Sequence, residues 1–192
     1  MEKKHNSALF WSVAATVVVV DLFTKIAAAN SLVPQHIPHE VFGNAVRLTL
    51  VHNPGAAFGL HLGQYSRWIF MALTAGALYI LGRLYQATRA NETLRTLAIA
   101  LVCGGAVGNL LDRIRSAVGV VDFIDVGVGD LRWPTFNVAD MAVSVGAALL
   151  AWVLWREDQE ARADEVIALS APSVSTAAVA SVSAANEPVD VA

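Results

Sequence analysis

Asp21, Asp112, Asp122, Asp125 and Asp140 stand at the edges of long apolar stretches or between them. An acid at membrane depth is expensive and usually functional, so the neighbourhood of each matters. Asp21 and Lys25 are four residues apart with the acid first, so on a helix they read as a mutually neutralising structural ion pair. Asp112 stands beside Arg113 and close to Arg115, and Asn109, Asp112 and Arg113 share a helix face at i, i+3 and i+4. That polar cluster could orient a substrate or a catalytic group, or lock its helix to a neighbour. Asp122 and Asp140 have no basic residue beside them. Two such carboxyls meeting in a small site cannot both ionise, and would hold one proton between them. One is then ready to deprotonate water and the other to donate a proton, which is the chemistry of an aspartic peptidase. Asp125 competes with Asp122: on a strand the two face opposite sides, and the pattern leaves both open.

The elements that must position these acids are helical and apolar. The 192 residues are 56% hydrophobic, more than a soluble domain of this size requires, and the mean hydropathy is +0.54. Leu9–Ala29, Ser66–Gln86, Leu94–Ile114 and Asn137–Trp155 each approach the roughly 20 apolar residues that span a bilayer. On the last of them Asn137, Asp140 and Ser144 share one face, expected to point into the bundle. Lys3 and Lys4 precede the first span, Arg83, Arg89 and Arg95 surround the short link between the second and third, and Arg156 and Arg162 follow the fourth. The positive-inside rule then makes both termini cytoplasmic and the loops 30–65 and 115–136 outward-facing. Lys25, Arg67, Arg113 and Arg115 depart from that rule, and three of them have an acid close by. Asp21 and Lys25 also interrupt the apolar stretch before "AAAN" (Ala27–Asn30), which argues against a cleaved signal peptide. A net charge of -3 implies no nucleic-acid partner. The single cysteine, Cys103, makes neither an internal disulfide nor a zinc site and reads as a small buried hydrophobe.

Within the outward loops, "VRLTLVH" (Val46–His52) alternates like a strand, and "NPGAAFG" (Asn53–Gly59) carries turn chemistry. Gly119–Asp130 is rich in Val and Ile before a Gly-rich turn, so two short extended pieces could pair into a small sheet. "GVGD" (Gly127–Asp130) resembles an intramembrane-protease motif but lies in a loop, where Asp130 reads as a turn residue. "HIPHE" (His36–Glu40) with His52 and His61 invites a metal site, but an H-E-x-x-H pattern would need histidine where Gly43 stands, so no metal is expected. Gly104 and Gly108 form a small-xxx-small pair for close helix approach. Residues 1–162 are expected to form the membrane domain and 163–192 a disordered cytoplasmic tail of low complexity.

The motifs "DLFTK" (Asp21–Lys25), "NPGAAFG", "GGAVGNLLDR" (Gly104–Arg113), "VVDFIDV" (Val120–Val126) and "FNVAD" (Phe136–Asp140) occur in the order found in lipoprotein signal peptidases, the signal peptidase II family, which the chain resembles from about Leu9 to Arg156. The resemblance implies an all-α membrane protein of four transmembrane helices with a small extracytoplasmic β-cradle in the bacterial inner membrane. It implies an aspartic endopeptidase, without cofactor, that removes signal peptides from lipidated prolipoproteins by cutting before the diacylglyceryl-modified cysteine. The family's catalytic dyad falls on Asp122 and Asp140, which chooses Asp122 over Asp125. Its polar support falls on Asn109, Asp112, Arg113 and Asn137, with Asn53 near the substrate. Asp21 and Lys25 match as well. Membrane lipids and the substrate are the implied partners, and Ala147, Ala148 and Ala151 would leave room for the substrate's signal helix. The rival is a small four-helix proton-coupled transporter using Asp21 and Asp140 as relays; it calls for acids and broken helices at mid-membrane, whereas these acids cluster at one surface. A purely structural subunit would leave the two cationless acids unexplained.

Overall fold

The structure is a computed structural model that describes residues 6–54 and 63–170, with only the backbone of Gln64. Gly55–Gly59 of the expected turn, His61, Lys3, Lys4 and the segment 171–192 lie outside the described residues. The chain divides into two compact units, Met1–Val153 and Leu154–Ala192.

In order, the elements are α1 (Ser7–Ser31), β1 (His39–Phe42), β2 (Val46–Asn53), a short 3-10 turn (Gly63–Tyr65), α2 (Ser66–Ala87), α3 (Thr93–Arg115), β3 (Val120–Val128), β4 (Leu131–Arg132) and α4 (Val138–Ser170). All four helices are long and apolar enough to cross a membrane. Pro34, Pro38, Pro54 and Pro134 all stand between elements, as a residue that breaks helical hydrogen bonding must. The Asn6 side chain accepts the Leu9 N–H at 3.3 Å and caps α1. The expected spans are all present, each extended by one or more residues at one or both ends. The largest extension is in α4, which continues to Ser170 and so makes 163–170 helical where a disordered tail was expected. Ala, Glu and Arg favour helix there, and the i,i+4 pairs Arg156–Glu160 and Asp158–Arg162 support it.

The most heavily buried helix is α3, because its glycines admit two neighbours on different faces. A Cβ at Gly104 would come within 2.9 Å of the Ala14 carbonyl of α1, and one at Gly108 within 2.6 Å of Asp21 Oδ2. A Cβ at Gly105 would collide with the Ala139 carbonyl of α4, and one at Gly146 of α4 would come within 2.9 Å of the Ala98 carbonyl of α3. The expected small-xxx-small face therefore meets α1, while Gly105 serves α4. Phe10, Ala14, Ile99, Ala100 and Cys103 form one core cluster, so the cysteine is a buried free thiol. By contrast α2 buries only Ser66 and turns most of its apolar surface outward.

The strands form one antiparallel sheet in the order β1-β2-β3-β4. The expected pairing is β2 with β3, in the register Val46↔Val126 to Asn53↔Val120, with a bulge between Leu48 and Val51. Leu50 and Phe123 pack on Ala28 and Leu32, which fastens the sheet to the end of α1. Gly129 turns β3 into β4 at φ 58°, and Asp130 lies in that turn, as its type suggested. Strand β1 is additional: fully exposed, it has no alternating pattern that could announce it.

Two glycine substitutions should move stability in opposite directions. At Gly76 a Cβ meets nothing within 4 Å, so Gly76→Ala should stabilise by up to about 1 kcal/mol. At Gly105 it meets backbone that must shift, so Gly105→Ala should destabilise by roughly 1–3 kcal/mol. Thermal unfolding of both variants in the same detergent checks the signs.

Candidate active site

Lys25 is buried, with 3% of its surface exposed, and its ammonium has three close acceptors. Nζ is 2.8 Å from Asp21 Oδ2, 2.8 Å from Asp112 Oδ2 and 2.9 Å from Asn109 Oδ1. These use all the donors an ammonium has. Asp21 Oδ1 accepts the Ala139 N–H at 2.8 Å, so what reads in sequence as an ion pair within one helix also joins α1 to the start of α4. Asp112 Oδ2 accepts the Val121 N–H at 3.4 Å and ties α3 to β3. The cluster on α3 thus does both things its spacing allowed: Asp112 locks elements together and Asn109 reaches into the site.

The two aspartates without sequence-adjacent cations meet around amides. Asn109 Nδ2 donates to Asp140 Oδ1 at 2.7 Å, and Asn137 Nδ2 donates to Asp122 Oδ1 at 2.7 Å and to Asn109 Oδ1 at 3.1 Å. Asn53 Nδ2 donates to Asp122 Oδ2 at 3.2 Å. Asn137 also begins α4: its Oδ1 accepts the Asp140 N–H at 2.9 Å, while Asp140 Oδ2 accepts the Asn137 N–H at 3.2 Å. This is a reciprocal capping box, and it explains how an acid is held in the first turn of an apolar helix. Asp122 lies on β3, within the sheet. Asn53, Arg113, Asp122 and Asp140 line one cavity of about 560 Å³ whose apolar wall includes Trp133, Phe136, Met141 and Val145. The acids therefore share a cavity with a cation after all, because the fold brings Arg113 there. Its guanidinium lies 5.4 Å from the Phe70 ring. Ser144 also lines the cavity but is exposed, not turned into the bundle, and Ala147, Ala148 and Ala151 are exposed too. Among the described residues no group of His, Cys, Asp and Glu is placed to hold a metal ion.

The signal peptidase II family model matches residues 13–156. The chain belongs to the signal peptidase II family. Curated lipoprotein signal peptidases similar to it include those of Teredinibacter turnerae, 42% identical with 76% of this chain and 87% of the relative covered, and Burkholderia mallei, 38% identical with 84% and 98% covered. A solved bacterial membrane enzyme superposes with a TM-score of 0.73 at 29% identity, covering 83% of this chain and 95% of its own. A second gives 0.70 at 30% identity, with 80% and 97% covered. This family member is thus a membrane-embedded peptidase of four long apolar helices with a small antiparallel sheet.

Asp125 faces elsewhere. It is paired with Arg47 at 2.8 Å and Arg132 at 2.7 Å, and accepts from Thr49 Oγ1 at 3.1 Å. Burial would raise its carboxyl, but the Arg132, Arg47 and Thr49 donors together hold it below the ordinary carboxylate value. Arg132 also reaches the Asn44 carbonyl at 2.5 Å, so Asp125 and Arg132 brace the turn between β1 and β2. Neither Thr49, Arg47 nor Arg132 was legible as its partner, since the contacts depend on strand register. Arg67, an outward arginine without an explanation in the sequence, donates to the Arg113 and Ile114 carbonyls at 2.6 and 3.2 Å and so satisfies the last turn of α3. The capping box was readable, as Asn-x-x-Asp before an apolar run.

Asp122 is driven the other way. Burial first, then the Asp140 charge, push its carboxyl up to about 7 against the hydrogen bonds of Asn53 and Asn137. Between 3.8 and about 7 the folded chain keeps a proton on Asp122 that the unfolded chain has released. Its contribution therefore lowers stability as pH rises through that window and changes little above it. Asp122→Asn should be more stable than the native chain above about pH 7 and equal to it near 3.8, as read by unfolding at stepped pH.

Proposed function

We propose that Asp122 and Asp140 are the catalytic dyad with which this signal peptidase removes signal peptides from lipidated prolipoproteins, cutting before the diacylglyceryl-modified cysteine. The observation that carries the reading is Asn137, one residue that holds Asp122 through its amide and Asp140 through its helix cap at the wall of a single cavity. Two carboxyls held this way share a proton. The ionised one takes a proton from water as its oxygen attacks the scissile carbonyl carbon, and the protonated one gives its proton to the carbonyl oxygen. On collapse the first carboxyl gives the proton it took from water to the amide nitrogen, the C–N bond breaks, and a hydroxyl proton of the intermediate returns to the second carboxylate. Asn53 and Arg113, on the same cavity wall, are the substrate-facing polar groups, and Lys25, Asp21 and Asp112 support the frame.

The apolar wall of Trp133, Phe136, Met141 and Val145 suits a substrate whose lipid chains stay in the bilayer. Exposed Ala147, Ala148 and Ala151 offer a smooth helix face to the signal segment. The bacterial inner membrane is the site of action, with both termini cytoplasmic and the cavity opening on the other side. Arg83, Arg89 and Arg95 around the link between α2 and α3, and Arg156 and Arg162 in the second half of α4, support that orientation. Residues 163–192 carry no part of the site.

The purified protein should shorten a lipidated prolipoprotein and leave its unlipidated precursor intact. Asp122→Asn and Asp140→Asn should each lower turnover by roughly 10²–10⁴-fold, and the double variant should be no worse than either. Asp125→Asn should keep turnover. An active Asp122→Asn beside a dead Asp125→Asn would show the dyad misassigned, and an active Asp140→Asn would sink the mechanism. For orientation, a cysteine placed at Asp130 should react with an impermeant thiol reagent in intact cells, and one placed at Glu160 should react only after lysis. The reverse labelling overturns the topology.

A further inference from the structure

We propose that Lys25 is a positioning residue for the dyad: through the Asn109 amide it fixes the ionised carboxyl on Asp140 and leaves the shared proton on Asp122. The inference rests on the dyad reading above and deepens it. An ammonium can only donate, so the Asn109 oxygen must face Lys25 Nζ, 2.9 Å away. The Asn109 NH₂ is thereby turned onto Asp140 Oδ1 at 2.7 Å. A second anchor acts from the other side. The Asp140 backbone N–H, also a pure donor, holds the Asn137 oxygen at 2.9 Å, which turns the Asn137 NH₂ toward Asp122 and the Asn109 oxygen. Neither amide can flip without setting donor against donor.

Both Asp140 oxygens then face fixed N–H groups, since Oδ2 accepts the Asn137 N–H. The Asp122 oxygens also accept N–H groups, from Asn137 and Asn53, so the two carboxyls are distinguished by the helix end, the ammonium and burial. Asp140 also stands in the first turn of α4, where the helix N-terminus favours a negative charge, and its Asn109 donor is polarised by the ammonium behind it. Asp122 has no helix end. It lies on a strand and is 3% exposed, which disfavours its charged form. Among the described residues, Lys25 and Asp21 from α1, Asn109, Asp112 and Arg113 from α3, Asn53 from β2 and Asn137 before α4 surround the pair, and Thr135 and Ser144 line the same cavity. The upward displacement of the Asp122 carboxyl by burial and by Asp140 agrees with this assignment. It makes Asp140 the group that deprotonates water and Asp122 the group that protonates the scissile carbonyl oxygen. Turnover returns the proton to Asp122.

The test compares native enzyme with Lys25→Met/Asp21→Asn, which keeps the net charge of the cluster and leaves an acceptor for the Ala139 N–H. On lipidated prolipoprotein its kcat should fall by about tenfold or more with KM little changed, and its pH–rate profile should shift, because the Asn109 amide can now turn. Lys25→Arg, still a pure donor, should recover the native profile. Should the double variant fail to accumulate, Asn109→Asp keeps Lys25 paired while removing the N–H aimed at Asp140, and the same fall and shift are expected. A native kcat and profile in either variant overturns the inference. Infrared spectra locate the proton directly. The carboxylic-acid C=O band should vanish in Asp122→Asn and survive in Asp140→Asn; the opposite pattern overturns the assignment. If instead both aspartate variants cleave normally, it is the dyad reading that fails.

Discussion

One ammonium group organises this protein. A buried lysine is costly unless its charge is matched and its donors are used, and Lys25 meets both conditions by drawing Asp21, Asp112 and Asn109 onto itself. Each partner also makes a contact of its own beyond the lysine. Asp21 holds the start of α4, Asp112 holds β3, and Asn109 holds Asp140. Charge satisfaction in the frame and geometry at the site are thus set by the same contacts. Replacing such a network with apolar side chains can leave a fold just as stable, so its retention fits a role in specificity.

Such a network needs helices close enough for short side chains to touch. Asp and Asn reach only a few ångströms from the backbone, and Gly104, Gly105 and Gly108 give α3 that proximity on two faces. The glycines face α1 and α4, whose polar residues meet at Asn109. Close packing of small residues and a polar cluster at one end of the bundle are therefore one solution, since wider spacing would leave the same groups unpaired in an apolar medium.

Much of this was legible in the sequence, for identifiable reasons. Length and hydropathy mark a spanning helix almost regardless of context, so all four were placed and only their ends moved. Strands β2 and β3 announced themselves by Val, Ile and alternation, while β1, short and exposed on every residue, depends on its neighbour for existence. The face shared by Asn137 and Asp140 was visible from spacing, but its link to Asp122 depends on a fold that returns β3 to the start of α4. Arg113 was visible as part of an α3 cluster, not as a wall of the same cavity as Asp122 and Asp140. The ion pair Asp21–Lys25 was readable from its i,i+4 spacing, whereas its reach to Asp112 and Asn109 spans most of the domain and leaves no local signature.

The capping box at Asn137 has a consequence for how the site responds to its occupants. The side chain that closes the first turn of α4 is the one that grips Asp122, so fraying of that turn and loss of the two-carboxyl geometry are a single event. A ligand that engages the two carboxyls in their aligned state binds a form that fraying destroys, and so stabilises the helix start by mass action. Slow deuterium uptake at the Asp140 amide would serve as a gauge of occupancy, whatever the ligand's chemistry. Inhibition and local helix stability would then be two readings of one equilibrium.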